Sequence, residues 1–162
     1  MKKIGLLSDS HGTFDVKFQE YFTGCDEIWH AGDIGSEEVL HKLQTIAEVR
    51  AVHGNIDVTA IRRKCPEMLR FRIEEVDVMM THIGGYPNHY NPQIRQQIII
   101  HRPKLFICGH SHILRVMYDR RFDMLYLNPG ESQKHPRNGK RTLLRFTINK
   151  ENIKDMEVIE FH

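Results

Sequence analysis

The chain has 162 residues, which predicts one domain spanning residues 1 to 162 with an extensive buried core. Hydrophobic residues make up 40%, charged residues 27%, and the formal net charge is +2 without a basic cluster, so a nucleic-acid partner is not indicated. The sequence has neither a signal-peptide core nor an apolar run near the roughly 18 residues of a membrane helix, so we expect a cytoplasmic protein without membrane contact.

The first half of the chain predicts strands that alternate with helices. The strands are expected at Lys3 to Leu7, Glu27 to Ala31 and Val49 to His53. Aromatic residues spaced along the stretch from Phe14 to Phe22 predict an amphipathic helix, and Ser36 is a good N-cap for a second helix. The stretch from Thr59 to Pro66 shows no clear element, and we interpret its basic residues, including Arg62, as a solvated face.

The second half predicts one more helix and a series of strands. The expected strands are Met68 to Ile73, Val76 to Met80, Leu105 to Cys108, Ile113 to Tyr118, Met124 to Leu127, Arg141 to Ile148 and Ile153 to Phe161. Asn91 as N-cap and Pro92 at the first helical position begin a helix that Pro103 ends. An α/β half followed by a β meander favours two sheets packed face to face with helices outside.

Five places where a predicted strand ends carry side chains that can bind metal ions. They are Asp9 and His11, Asp33, Asn55, His82, and His110 and His112. A glycine lies beside each place, or two residues on in the case of His82, which lets the backbone turn sharply there. Oxygen and imidazole donors without a thiolate suit Mn²⁺, Fe²⁺, Ni²⁺ or Zn²⁺, and the set is too large for one ion. The three cysteines show no C-x-x-C spacing, so a disulfide framework or a structural zinc site is not expected.

These motifs, in this order and over nearly the whole chain, resemble those of the calcineurin-like metallophosphoesterases. The short length and the stretch from Leu127 to Glu131 are most similar to the small bacterial and archaeal phosphodiesterases of that superfamily. The resemblance implies an α/β fold of the metallo-dependent phosphatase type. In this fold two mixed β-sheets pack face to face in a four-layer α-β-β-α sandwich.

The resemblance also implies a ligand set for two divalent transition metal ions, with Mn²⁺ expected first and Ni²⁺, Fe²⁺ or Zn²⁺ as alternatives. Asp9, His11 and His112 would hold one ion, Asn55, His82 and His110 the other, and Asp33 would bridge them. A hydroxide between the ions would be the nucleophile, with Asp33, Asn55 and His82 as the catalytic ligands. The site would carry a net charge of about +1 with that hydroxide and would attract a phosphate ester anion.

Two positions depart from the family's pattern. Ile56 stands where many members have a histidine thought to protonate the leaving group, so we expect a preference for small phosphodiesters or activated esters. Ile83 stands where a glycine usually follows the ligand. The loop after Ile83 is a plausible substrate wall, in which Gly84 and His89 would contact substrate together with Asn55. Tyr90 could also contact substrate, and both His89 and Tyr90 could equally be surface residues.

Several alternatives stay open at this point. A phosphomonoesterase fits the same charge count, and a non-catalytic protein-interaction scaffold fits the same fold, although a scaffold would be expected to have lost ligands. His30 and His53 are interpreted as packing or ligand-orienting residues, and Cys108 as a small buried apolar group. Self-association into homo-oligomers is expected from the resemblance alone.

Overall fold

The computed structural model describes residues 1–162, in which ten strands and four helices follow one another along the chain. The strands are β1 (Lys2–Leu7), β2 (Glu27–His30), β3 (Glu48–Ala51), β4 (Met68–Ile73), β5 (Val76–Thr81), β6 (Leu105–Ile107), β7 (Arg115–Asp119), β8 (Met124–Asn128), β9 (Arg141–Asn149) and β10 (Asn152–Phe161). The helices are α1 (Lys17–Phe22), α2 (Glu37–Gln44), α3 (Thr59–Lys64) and α4 (Pro92–His101). None of the helices is long and apolar enough to cross a membrane.

The strands form two mixed five-stranded sheets, as predicted. The first has the order β10-β9-β1-β2-β3, in which β1, β2 and β3 are parallel and β9 runs antiparallel to β1. The second has the order β4-β5-β6-β8-β7, in which β5, β6 and β8 are parallel. Because parallel strands end at the same edge, each sheet brings three carboxyl ends together, where α/β proteins build their sites.

Three apolar clusters define the four layers. The largest lies between the sheets, where Leu6 and Trp29 of the first sheet meet Met80 and Ile107 of the second. A second cluster packs helices such as α1, through Phe18, on the outer face of the first sheet. A third packs α4 on the outer face of the second sheet. The expected α-β-β-α arrangement is confirmed.

Local signals placed most helix boundaries correctly. Ser36 caps α2 by accepting a hydrogen bond from the backbone N–H of Glu38, and Asn91 caps α4 by accepting one from Gln93. The helix predicted from Phe14 to Phe22 is shorter in the structure, because α1 begins only at Lys17. Phe14 packs against the same cluster from the preceding loop.

The chain course holds one element that the sequence did not reveal and one arrangement that was predicted wrongly. The stretch from Thr59 to Lys64 is the short helix α3, which buries Ile61 against the first sheet. Its single buried residue is too little to produce a readable stripe. The last four strands are also not one continuous meander, since β7 and β8 complete the second sheet while β9 and β10 complete the first. Strand partnership depends on contacts distant in sequence, which local patterning does not encode.

Candidate metal centre

The seven predicted ligands lie together where the carboxyl ends of the two sheets meet. Asp9 and His11 follow β1, Asp33 follows β2, and Asn55 follows β3. His82 follows β5 of the second sheet, and His110 and His112 follow β6. Face-to-face packing of the sheets therefore joins residues from opposite halves of the chain.

The backbone at five of the seven ligands adopts the left-handed conformation. The φ angles are 54° at Asp9, 46° at His11, 54° at Asp33, 69° at His110 and 64° at His112. This region costs a non-glycine residue about 1–2 kcal/mol, and such strain clusters at functional sites. Hydrogen bonds from the N–H of Asp9 to the carbonyl of Gly32 (3.0 Å) and from His11 to Asp33 (3.0 Å) hold two of these loops together.

The ligand atoms form two adjacent clusters, each compact enough to hold a metal ion. One cluster contains Asp9, His11 and His112, and the other contains Asp33, His82 and His110. Asn55 lies beside the second cluster, with its Oδ1 3.1 Å from Nδ1 of His110. Oδ2 of Asp33 lies 3.2 Å from Nε2 of His82 and 3.6 Å from Nε2 of His11, so this carboxylate stands between the clusters.

Hydrogen bonds orient the Asp9 carboxylate so that one oxygen faces the centre. Its Oδ2 accepts hydrogen bonds from the Ser8 hydroxyl at 2.6 Å and from the His110 N–H at 3.1 Å. Its Oδ1 has no hydrogen-bond donor, although it lies 3.1 Å from Nε2 of His112 and 3.6 Å from Nε2 of His11. Asp9 is fully buried, so this oxygen needs a partner that the chain's own hydrogen bonds do not supply.

Two of the histidines have an oxygen acceptor close to their outer ring nitrogens. The Nδ1 atom of His82 lies 2.8 Å from the carbonyl of Ala31, which fixes Nδ1 as the donor and leaves Nε2 facing the centre. The Nδ1 atom of His112 lies 2.6 Å from the buried carboxylate of Glu131. A carboxylate or carbonyl behind a histidine is the usual support for a metal-binding imidazole.

The residues present fit a pair of divalent metal ions. Three buried polar atoms face the centre without a hydrogen-bond partner, namely Oδ1 of Asp9, Nε2 of His11 and Nε2 of His82. Unpaired buried polar atoms are rare because each costs about 1–3 kcal/mol, and bound cations would satisfy all three. The donor set of carboxylate, amide and imidazole groups suits first-row transition ions.

Burial and contacts between the ligands shift the pKa values of Asp9 and His112. Burial alone would raise the pKa of Asp9, but contacts with His11, His112 and Ser8 and the charge of His82 hold this pKa well below its usual range. Contact with Asp9 raises the pKa of His112 despite burial. A metal ion must therefore compete with protons for this imidazole, so metal binding is expected to weaken as the pH falls.

Two glycines let the ligand loops approach closely. A Cβ atom on Gly54 would fall 2.1 Å from Oδ1 of Asp33, and one on Gly109 would fall 2.1 Å from the Ser8 hydroxyl. Either substitution would displace a ligand or the group that orients it, which is why these strand ends require glycine.

Asp57 organises the loops that carry two of the ligands, a role that sequence reasoning missed. Its buried carboxylate accepts hydrogen bonds from the N–H groups of Ile34 (3.1 Å), Gly35 (2.8 Å) and Gly54 (2.8 Å). It thereby joins the Asp33 loop to the Asn55 loop. The only available signal was a carboxylate two residues after Asn55, which by itself predicts nothing about partners.

The other residues named from the sequence take varied positions. His30 is fully buried, bonded to Ser10 and Gly32, and burial lowers its pKa to about 4, which fits an orienting residue. Nδ1 of His53 lies 2.8 Å from the carbonyl of Cys65. Cys108 is fully buried, as predicted, with its Sγ 3.1 Å from the hydroxyl of Tyr126.

The loop after His82 is only partly directed towards the centre. Tyr90 is buried and its hydroxyl donates to Asp119 at 2.7 Å, so it is neither a substrate contact nor a surface residue, the two alternatives left open by the sequence. A Cβ atom on Gly84 would fall 2.7 Å from Phe106, so Gly84 faces the core and could reach a substrate only with its backbone. His89 is exposed and packs against Tyr86, where it remains a predicted contact.

The four-layer fold and the paired clusters at its strand ends define an α/β protein built to bind divalent metals. Residues 1–151 match the family described as the calcineurin-like phosphoesterase superfamily domain, and the chain belongs to this superfamily. A probable metallophosphoesterase of Methanothermobacter thermautotrophicus is 31% identical over 96% of this chain and 91% of its own length. The resemblance predicted from the motifs is confirmed.

Solved structures show the same fold. A conserved protein of Streptococcus pneumoniae described as a predicted phosphoesterase aligns with a TM-score of 0.71 at 22% identity, covering 98% of this chain and 88% of that one. Vps29 of Entamoeba histolytica, solved in complex with Zn²⁺, aligns with a TM-score of 0.75 at 18% identity and 99% coverage of both chains. At these identities the likeness shows the fold alone.

Glu131→Gln is expected to weaken metal binding about 10–100-fold, because the amide would support His112 less well than the buried carboxylate does. Calorimetric titration of the metal-free protein with Mn²⁺ measures this change in affinity. Glu160→Gln, on the exposed surface of β10, is the control and should bind Mn²⁺ like the natural chain. Equal affinities of the Glu131 variant and the control would show that Glu131 does not support the ligand.

Proposed function

We propose that this protein is a phosphodiesterase that hydrolyses a small phosphodiester with two bound divalent transition metal ions, Mn²⁺ being the first candidate. Asp9, His11 and His112 would hold one ion, Asn55, His82 and His110 the other, and Asp33 both. When bound, two such ions supply Lewis acidity and a hydroxide nucleophile near neutral pH. Membership of the superfamily supports the general reaction, and the diester preference is our inference.

The observation that carries this proposal is the complete and oriented ligand set. Asp33 stands between the two clusters, as a bridging carboxylate must. The outer nitrogen of His82 contacts the Ala31 carbonyl and that of His112 lies 2.6 Å from the Glu131 carboxylate, so the inner nitrogens face the centre before any ion binds. Such preorganisation lowers the cost of assembling a charged catalytic site.

A preference for good leaving groups follows from what the chain lacks beside Asn55, whereas the preference for diesters over monoesters rests on the similarity to small phosphodiesterases. The N–H of Ile56 donates to Oδ1 of Asp33 at 3.1 Å, which fixes this residue at the centre. Its side chain has no proton to give to a departing alkoxide. The enzyme should therefore favour substrates that need little help at the leaving group, such as activated aryl diesters.

Metal content and turnover of the reconstituted protein test the proposal. We expect about two Mn²⁺ per chain and hydrolysis of bis(p-nitrophenyl) phosphate with kcat/KM at least about tenfold above that for p-nitrophenyl phosphate. Asn55→Ala should lose one ion and most of the activity, whereas Asn152→Ala on exposed β10 should change neither. Absence of both bound metal and turnover would contradict the enzyme proposal.

A protein-interaction scaffold is the second candidate function. Its support is the fold likeness to Vps29, the vacuolar protein sorting 29 proteins. A scaffold would need no ordered ligand set, and every ligand position is filled in this chain. A reconstituted protein that binds no Mn²⁺ and hydrolyses neither ester would favour the scaffold.

Ile56→His is expected to make the rate less dependent on the leaving-group pKa, because an imidazole at this position could protonate the departing alkoxide. Esters with poor leaving groups should gain up to about 10²-fold in kcat/KM. A series of aryl phosphodiesters of increasing phenol pKa measures the slope. Val58→His, exposed in the same loop, is the control, and an unchanged slope for the position-56 variant would reject this account of the preference.

A further inference from the structure

A large cavity opens directly beside the candidate metal centre. It has a volume of about 580 Å³ and shares Asn55 and His82 with the ligand set. From there it extends between α3, β4 and the first turns of α4. This volume lies within the range of small-molecule sites, and the position is where one alcohol half of a bound diester would extend from the phosphate.

The cavity lining is polar and nearly neutral. Arg62 and Glu67 are its only fully charged side chains, and three glutamines of α4 add amide groups. Only three of the 14 lining residues are hydrophobic, and none is phenylalanine, tyrosine or tryptophan. A nucleobase is normally bound by stacking on aromatic side chains, so this lining is poorly suited to one.

The hydrogen-bonding groups of the lining are partly free to bind a ligand. Gln97 is half-buried, and its Oε1 lies 3.2 Å from Nε2 of His101, which leaves the amide N–H₂ available as a donor. The Glu67 carboxylate forms no salt bridge, so both of its oxygens can accept hydrogen bonds from hydroxyl groups.

Arg62 is already engaged with the protein. Its Nε donates to the carbonyl of Asp57 at 2.7 Å, and one terminal nitrogen lies 3.4 Å from the carbonyls of Gly54 and Asn55. Arg62 is exposed, as the interpretation of a solvated face predicted, although its guanidinium also contacts the backbone. The guanidinium steadies the Asn55 loop and balances the charge of Glu67, so the cavity has no excess charge to attract an ionic group.

We propose that this cavity binds the uncharged, hydroxyl-rich alcohol of a diester substrate, such as a glycerol or sugar unit. Glu67 accepts hydrogen bonds from the hydroxyl groups and Gln97 donates one. The inference rests on the proposed phosphodiesterase function and adds the substrate class to it. Cations such as choline and flat nucleosides are disfavoured, because the lining offers neither net negative charge nor aromatic faces.

Kinetics of the Mn²⁺-loaded protein provide the first test. The substrates are the p-nitrophenyl esters of glycerol 3-phosphate and of thymidine 5′-phosphate, with bis(p-nitrophenyl) phosphate as reference, so that all three share one activated leaving group. Glu67→Ala and Gln97→Ala should each lower the ratio of kcat/KM for the glycerol ester to that for the reference about tenfold, as expected for a lost hydrogen bond. Gln19→Ala, on the exposed face of α1, is the matched control and should leave the ratio unchanged.

Binding to metal-free protein provides a readout that does not require catalysis. In ¹H–¹⁵N spectra, glycerophosphoglycerol should shift the side-chain amide signals of Gln93 and Gln97 and not that of Gln19. Shifts without hydrolysis of any diester would support the cavity and defeat the proposed function. Two results would overturn the cavity proposal and leave the enzyme proposal standing. In the first, the reference is hydrolysed, but the amide signals do not shift and the kcat/KM ratios of the Glu67 and Gln97 variants do not change. In the second, the enzyme prefers the thymidine ester.

Discussion

Asp9→Asn is expected to empty one metal position and lower the hydrolysis of bis(p-nitrophenyl) phosphate about 10³-fold, because ion-supported stabilisation of the transition state amounts to several kcal/mol. The geometry explains why an asparagine cannot substitute for the aspartate. Ser8 and the N–H of His110 both donate to Oδ2, so the amide oxygen would take that position. The amide N–H₂ would then point into the centre, where a ligand needs a lone pair.

Metal analysis and steady-state kinetics measure the effect of Asp9→Asn, and circular dichroism checks the fold. The backbone N–H of Asp9 bonds to Gly32 whatever the side chain, so the sheets should stay intact. Asp155→Asn is a matched control, since Asp155 is exposed and has nearly the same left-handed φ, 55° against 54°. A variant with full metal content and full activity would disprove the assignment of Asp9.

Asp57→Ala is expected to lower the free energy of unfolding by about 3–5 kcal/mol. The substitution would leave three backbone N–H groups without their acceptor, and a lost bond to a charged group costs about 1–3 kcal/mol each. The Asp33 and Asn55 loops would also separate, so Mn²⁺ binding should weaken at the position that Asn55 serves.

Urea unfolding of metal-free protein in the presence of a chelator measures the stability change of Asp57→Ala without a contribution from bound ions. Asp26→Ala is the control, because exposed Asp26 accepts only one backbone hydrogen bond, from Lys3. It should change the stability by about 1 kcal/mol or less. Similar effects of the two substitutions would show that Asp57 does not organise the loops.

Much of the fold was predictable because its signals are local. Asn91 and Pro92 mark the start of α4 through side-chain capping and a fixed φ, and both operate within one turn of helix. The hairpin of β4 and β5 was likewise readable around Glu74, which adopts a positive φ at the turn. The short helix α3 was not readable, because only Ile61 of its six residues is buried.

The ligands themselves were identified from the sequence because each stands at the end of an apolar run, with a glycine within three residues. The groups that support these ligands were not identified from the sequence. Glu131 lies 19 residues from His112, and Asp57 lies 23 residues from Ile34, so neither pairing leaves a periodic or adjacent pattern. The left-handed backbone of Asp9 was equally hidden, since aspartate in a loop adopts several conformations and neighbouring strands select one.

The sequence alone determined the chemical identity of the candidate centre: seven oxygen and imidazole donors, in a known family order, at the ends of strands. The tertiary structure decided how those donors divide into two clusters, which atom of each faces the centre, and which buried partners hold them. It also revealed the polar cavity beside Asn55, formed by α3, β4 and α4, which are far apart in the chain. The physical reason is that ligand type is a property of single residues, whereas orientation and enclosure arise only when the two sheets pack together.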